Sequence, residues 1–137
     1  MSVTMTVDYQ GQLHCALSHQ PSSARIETDA PKDNEGRGEA FSPTDLVGAA
    51  LASCAITTMA IKAPKEGIQF SRARGKVVKE MTTEPPRKIA RLSLEIELPT
   101  SLSLEHRARL EAIARSCPVA LSLNAAVELP MRFIYTD

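Results

Sequence analysis

Between Pro43 and Ala63 the chain carries almost no polar helical face. Leu46, Val47, Ala49, Ala50, Leu51, Ala52, Ala55, Ile56, Met59 and Ile61 point in every direction around a 3.6-residue turn. A helix that is apolar all round has to be buried on most of its sides. The chain has 137 residues, a length expected to form a single domain spanning 1–137. In so short a chain, this helix has to be wrapped by a sheet or packed against a second copy. Its ends are clearly marked. Ser42 is a good N-cap, Pro43 suits the first helical position, and Asp45 lies near the positive end of the dipole. Pro64 and Gly67 terminate the pattern.

Strand signals surround the helix. Val3, Met5 and Val7 alternate with threonines, Tyr9-Gln10-Gly11-Gln12 reads as a turn, and Leu13, Cys15 and Leu17 resume the alternation. This predicts a hairpin with one covered face. A third short strand is expected at 24–28, followed by a surface loop over 29–42 rich in Pro, Asp, Asn and Gly. Beyond the helix, a strand-like region runs from Ile68 to about Lys79, and Pro85-Pro86 makes a turn. Ala90, Leu92, Leu94, Ile96 and Leu98 then alternate strictly with Arg91, Ser93, Glu95 and Glu97, the pattern of an antiparallel strand with one wet face. Ser103 caps a second, amphipathic helix that Cys117-Pro118 interrupts. A helical turn over 119–123 and a final strand over 131–135 complete the chain. The order is strands, helix, strands, helix, strand, which predicts an α+β fold on an antiparallel sheet.

Composition removes several function classes. Sixteen basic and sixteen acidic residues balance to zero, without the basic excess of a nucleic-acid binder. The apolar runs fall short of the ~20 residues of a membrane span, and no charged-then-apolar leader opens the chain. Three cysteines suit a reducing compartment, so a cytoplasmic protein is expected. His14, Cys15 and His19 do not form a metal site on this reading: His14 and Cys15 point to opposite faces of a strand, and no second ligand arm exists. Gly36-Arg37-Gly38 lacks the Gly-Lys-Ser/Thr of a phosphate loop, and Glu95 and Glu97 are a solvated strand face. Neither a metal nor an organic cofactor is expected.

Two cysteines remain. Pro118 is placed to begin a helix with Cys117 at its N-cap, where free N–H groups favour a thiolate. Cys54 lies eleven residues after Pro43, about 16 Å along the helix and beyond the reach of its dipole. On local grounds Cys117 is the better nucleophile, and Cys54 reads as packing. Only a fold could bring the two together.

At Phe41-Ser42-Pro43-Thr44-Asp45-Leu46, then Ala49-Ala50-Leu51-Ala52-Ser53-Cys54, then Cys117-Pro118-Val119, the chain resembles the OsmC/Ohr family. Thr28-Asp29-Ala30-Pro31 matches a small OsmC-like subgroup within it. The resemblance implies an intertwined homodimer, in which curved antiparallel sheets wrap two central helices and the sites lie at the dimer interface. It implies reduction of organic hydroperoxides, with Cys54 as nucleophile, Cys117 as resolving thiol and a dithiol as reductant. That reverses the local ranking. The family activates its cysteine with an arginine held by a glutamate. Here Thr44 stands at the glutamate position with Asp45 beside it, and the loop Tyr9–Gln12 has no cation. Arg25, Arg37 and Lys62 are the candidate substitutes. Two other readings compete with the reductase: a binder of apolar small molecules in the interface cleft, and a redox sensor that oxidises once.

Overall fold

The alternation at 90–98 becomes the best-covered strand of the molecule. The computed structural model describes residues 1–137. Its elements run β1 (Met5–Tyr9), β2 (His14–His19), β3 (Ala24–Asp29), α1 (Pro43–Lys62), β4 (Arg74–Met81), β5 (Ile89–Pro99), α2 (Leu104–Arg115), α3 (Pro118–Ser122) and β6 (Met131–Thr136). This is the α+β order expected. The chain divides into two compact units, 1–47 and 48–137.

The first unit is an antiparallel meander, β1-β2-β3, with Met5 opposite His19 and Cys15 opposite Thr28. Gly11, Gln12 and Leu13 all take positive φ to turn β1 into β2. The covered face that the alternation predicts is not covered within the chain: Met5, Val7 and Tyr9 are at least 60% exposed. The following loop is a folded structure rather than loose surface. Ala30 N–H donates to Leu13 O, Asp29 N–H to Phe41 O, Gly36 N–H to Pro31 O and Gly38 N–H to Ala30 O. Gly36 is obligatory here, since a Cβ would lie 1.7 Å from Ala30 O.

The second unit carries β4-β5-β6. β4 begins at Arg74, later than the sequence suggests, although Ile68 is buried. β4 and β5 are antiparallel, but β5 and β6 are parallel. This departs from an all-antiparallel sheet for a topological reason: α2 and α3 separate the two strands and supply the crossover that parallel pairing requires. Leu92, Leu94, Ile96 and Leu98 are buried on β5, with Leu110 and Ile113 on α2. Each such side chain contributes roughly 1.5–3 kcal/mol through burial.

α1 buries one stripe, Gly48, Leu51, Ala55 and Met59. The expectation of burial on most sides is not met within one chain: Ala50, Ser53, Thr57, Ala60 and Ile61 stay exposed. The buried stripe lies close to the sheet. A Cβ on Gly48 would stand 3.3 Å from Leu92 Cδ2, and one on Gly75 would stand 3.1 Å from Ile56 Cδ1. By length and composition alone, Pro43–Glu66 could also cross a membrane.

Candidate active site

Cys54 occupies a flank of α1, between the stripe on the sheet and the exposed face. Leu51, Cys54 and Thr58 follow one another at helical spacing along that flank. Leu51 is buried, and Cys54 and Thr58 are half-buried. Cys54 Sγ lies 3.9 Å from Thr58 Oγ1.

Cys117 is positioned by a helix break. α2 ends at Arg115, where Ser116 Oγ donates to Ala112 O at 3.0 Å and Cys117 N–H reaches Ala114 O at 3.4 Å. Cys117 then turns to extended backbone (φ −67°, ψ 153°) as the N-cap of α3, and its carbonyl accepts from Leu121 N–H at 3.1 Å. The Pro118 signal is thus realised as a new helix start. The chemical consequence is opposite to the local expectation, because Cys117 is fully buried. Burial pushes its thiol up, and hydrogen bonding to Cys54 and the charge of a Cys54 thiolate push it further. The Ala120 and Val119 N–H groups pull the other way without overcoming these, and neither completes a side-chain cap. Cys117 is therefore held as a protonated thiol beside Cys54.

Far apart in sequence, the two cysteines are near enough in the fold for a Cys54 thiolate to raise the Cys117 thiol. All three cysteines are free. Cys15 sits half-buried on β2 in the first unit, opposite Tyr9 and Thr28.

Thr44 and Asp45 belong to the first unit, at the start of α1. Ser42 N–H donates to Asp45 Oδ2 at 2.9 Å, and Asp45 N–H donates to Ser42 Oγ at 3.1 Å. This reciprocal pair is a capping box with aspartate at its third position. Ser42 Oγ also lies 3.2 Å from Thr44 Oγ1. Sequence reasoning saw the N-cap but not this pairing, although Ser-Pro-Thr-Asp displays it. Among the candidate cations, Arg37 contributes its charge to Asp29 and Lys62 contributes to Glu66.

Sequence reasoning also missed a second polar cluster. His14 Nδ1 meets Asp29 Oδ1 at 2.5 Å, and Nε2 meets Glu27 Oε1 at 3.2 Å. Asp29 is buried, and its other oxygen accepts from Glu39 N–H at 2.9 Å. The hydrogen bond to Asp29 holds His14 above its ordinary 6.5, aided by Glu27, while His14 holds Asp29 below its ordinary 3.8. The aspartate of Thr28-Asp29-Ala30-Pro31 is thus the inner half of a clasp. His14 and Asp29 face each other in register across β2 and β3, which is the signal that could have found them. No group of three or more His, Cys, Asp or Glu side chains is arranged to hold a metal ion.

Comparison with known proteins gives a consistent pattern. The OsmC-like protein family matches residues 36–131. A Psychrobacter arcticus crystal structure, named for an osmotic stress induced and detoxification response, aligns at 35% identity and a TM-score of 0.89, covering 97% of this chain and 96% of that one. The organic hydroperoxide resistance protein OsmC of Legionella pneumophila shares the fold at 16% identity and a TM-score of 0.80, covering 98% and 97%. An organic hydroperoxide resistance protein of Elizabethkingia anophelis does so at 14% and 0.81, covering 99% and 97%. Among curated protein sequences none matches the chain.

Proposed function

The chain belongs to the OsmC-like family, and from that premise we propose that it is a thiol-dependent reductase of organic hydroperoxides. The observation that carries the reading is the proximity through which a Cys54 thiolate raises the Cys117 thiol, with Cys54 half-buried and Cys117 sealed. Relatives of the same fold from Legionella pneumophila and Elizabethkingia anophelis are named organic hydroperoxide resistance proteins, which supports it.

The Cys54 thiolate attacks the terminal peroxide oxygen and the O–O bond breaks. Cys54 becomes a sulfenic acid, and the departing alkoxide takes a proton to leave as an alcohol. Cys117 then attacks the sulfenic sulfur. Its proton leaves with the displaced hydroxide as water, and a Cys54–Cys117 disulfide forms. A dithiol reductant restores both thiols by two exchanges. Sealing Cys117 as a thiol fits this division of labour, because the buried partner reacts only after Cys54 has been oxidised.

The working unit we propose is a homodimer. The exposed apolar face of β1 and the uncovered side of α1 are the surfaces a second copy would cover. An apolar cleft left beside the helix at that interface would favour alkyl hydroperoxides over hydrogen peroxide. Thr44 and Asp45, at the family's acidic position and its neighbour, would orient the guanidinium that completes the site. The compartment we propose is the cytoplasm, a reading supported by the odd and low number of cysteines, three in all.

The test is titration of the reduced protein with cumene hydroperoxide, followed by non-reducing peptide mass spectrometry. The expected result is stoichiometric Cys54–Cys117 disulfide within seconds. Three free thiols at excess peroxide would overturn the reading and leave a cleft that binds apolar molecules without turning them over.

A further inference from the structure

A thiolate has no proton to give, so only donors can satisfy it. Nothing in the N-terminal dipole of α1 reaches Cys54, which stands in the middle of the helix. Thr58 lies one turn further on, at i+4 from Cys54, where side chains on one face meet. A helical threonine ordinarily turns its hydroxyl to the carbonyl four residues back. At Thr58 the hydroxyl instead meets the sulfur of the residue four back, at 3.9 Å, the long end of the range for sulfur. Both side chains are half-buried, so water screens the contact only in part.

We infer that Thr58 is a positioning residue for the peroxidatic sulfur, its hydroxyl donating to the Cys54 thiolate and fixing the rotamer from which that sulfur attacks. The role rests on Cys54 being the nucleophile. When Cys54 carries its proton, the hydroxyl can accept from it; when the proton leaves, the hydroxyl rotates to donate. The contact therefore persists through ionisation without a side-chain move. Thr58 is thus a neutral donor, drawn from this chain's own second unit, beside a cysteine whose family counterpart relies on a cation.

The test reads Cys54 ionisation without any peroxide. The rate of Cys54 alkylation by iodoacetamide is followed from pH 5 to 10 by peptide mass spectrometry, in wild type, Thr58→Val, Thr58→Ala and Thr58→Ser. Thr58→Val keeps the shape and removes the hydroxyl, while Thr58→Ser keeps the hydroxyl. Val and Ala are expected to move the alkylation midpoint up by about half a pH unit, roughly a threefold loss of thiolate on the steep limb. Ser is expected to restore the wild-type midpoint. Unchanged midpoints in both Val and Ala, or a Ser variant shifted as far as they are, would overturn the inference. Circular dichroism selects folded variants, and the Ala variant serves if Val does not fold. If no variant, wild type included, is oxidised by peroxide, the reductase reading fails, while the alkylation midpoints still decide the role of Thr58.

Discussion

β1 and β5 carry the same alternating pattern and meet opposite fates. In β5 the apolar set, Leu92 to Leu98, is sealed beneath the second unit's helices and sheet. In β1, Met5, Val7 and Tyr9 lie open. The first unit draws its order from polar groups: a buried aspartate gripped by a histidine, and a loop sewn to its own strands by backbone hydrogen bonds. The second draws its order from apolar burial, and the chemistry proposed for it involves Cys117, sealed in that core. Alternation reveals a strand's period. It does not reveal what covers the strand, and here the cover for β1 is not supplied by its own unit.

Substitutions that separate the two units sharpen this contrast. Cys54→Ser should abolish peroxide turnover, whereas Cys15→Ser, in the first unit, should leave it unchanged. Cys117→Ser should consume one equivalent and stop at a sulfenic acid that dimedone traps. Turnover surviving in Cys54→Ser would break the assignment of chemistry to the second unit. Next in size are the glycines. Gly36→Ala forces a Cβ onto Ala30 O and should cost more than 2 kcal/mol by urea unfolding. Gly75→Ala is tight against the flexible end of Ile56 and in ordinary contact with Ala52 and Leu94, and should cost about 1 kcal/mol or less. Equal costs would show that both units are packed alike.

A smaller effect is expected where β6 meets α2. Tyr135 O–H donates to Glu111 Oε2 at 2.5 Å, and the Arg107 guanidinium lies 4.1 Å over its ring. Tyr135→Phe keeps the ring and loses one hydrogen bond, which should cost about 1 kcal/mol by the same urea measurement.

The smallest effect is local and depends on pH. His14 is raised in the folded state, so its contribution is complete below 6.5 and fades as pH climbs through its folded value. Asp29 is lowered, so its contribution is present above 3.8 and fades as pH falls through its folded value. The clasp is therefore firmest between about pH 4 and 6.5 and loosens on the alkaline side. Amide exchange of Ala30, Gly36 and Glu39, corrected for intrinsic rates, should quicken above that window in wild type. It should be fast at every pH in His14→Gln. A flat wild-type profile would remove the histidine from the first unit's order.

Much of the second unit could be read from the chain because its information is local. The β5 alternation, the Ser103 cap and the Cys117-Pro118 break all lie within a few residues of what they determine. The long helix was equally plain, but its exposure was not, since the sequence shows that a side is apolar and not whether one copy suffices to cover it. The proposed thiol pair comes only from family resemblance: nothing near Cys54 or Cys117 names the other. Asp45 illustrates a different gap. Its place in the first turn was visible, but its reciprocal bond with Ser42 is a matter of side-chain geometry. The His14–Asp29 clasp depends on strand register, which the turn at 20–23 sets and composition does not reveal.

The parallel pairing of β5 with β6 ties the site to the chain's own assembly. Such a pairing closes only after the crossover through α2 and α3 has formed, and contacts of long sequence separation come late because they must first overcome the entropy of loop closure. Cys117 rides on that crossover and Cys54 on the helix before it. In a nascent or unravelled chain the two sulfurs meet only as rarely as a long flexible loop lets them. Disulfide formation between them would therefore report completed folding, and a chain that has not closed its crossover keeps the two thiols apart.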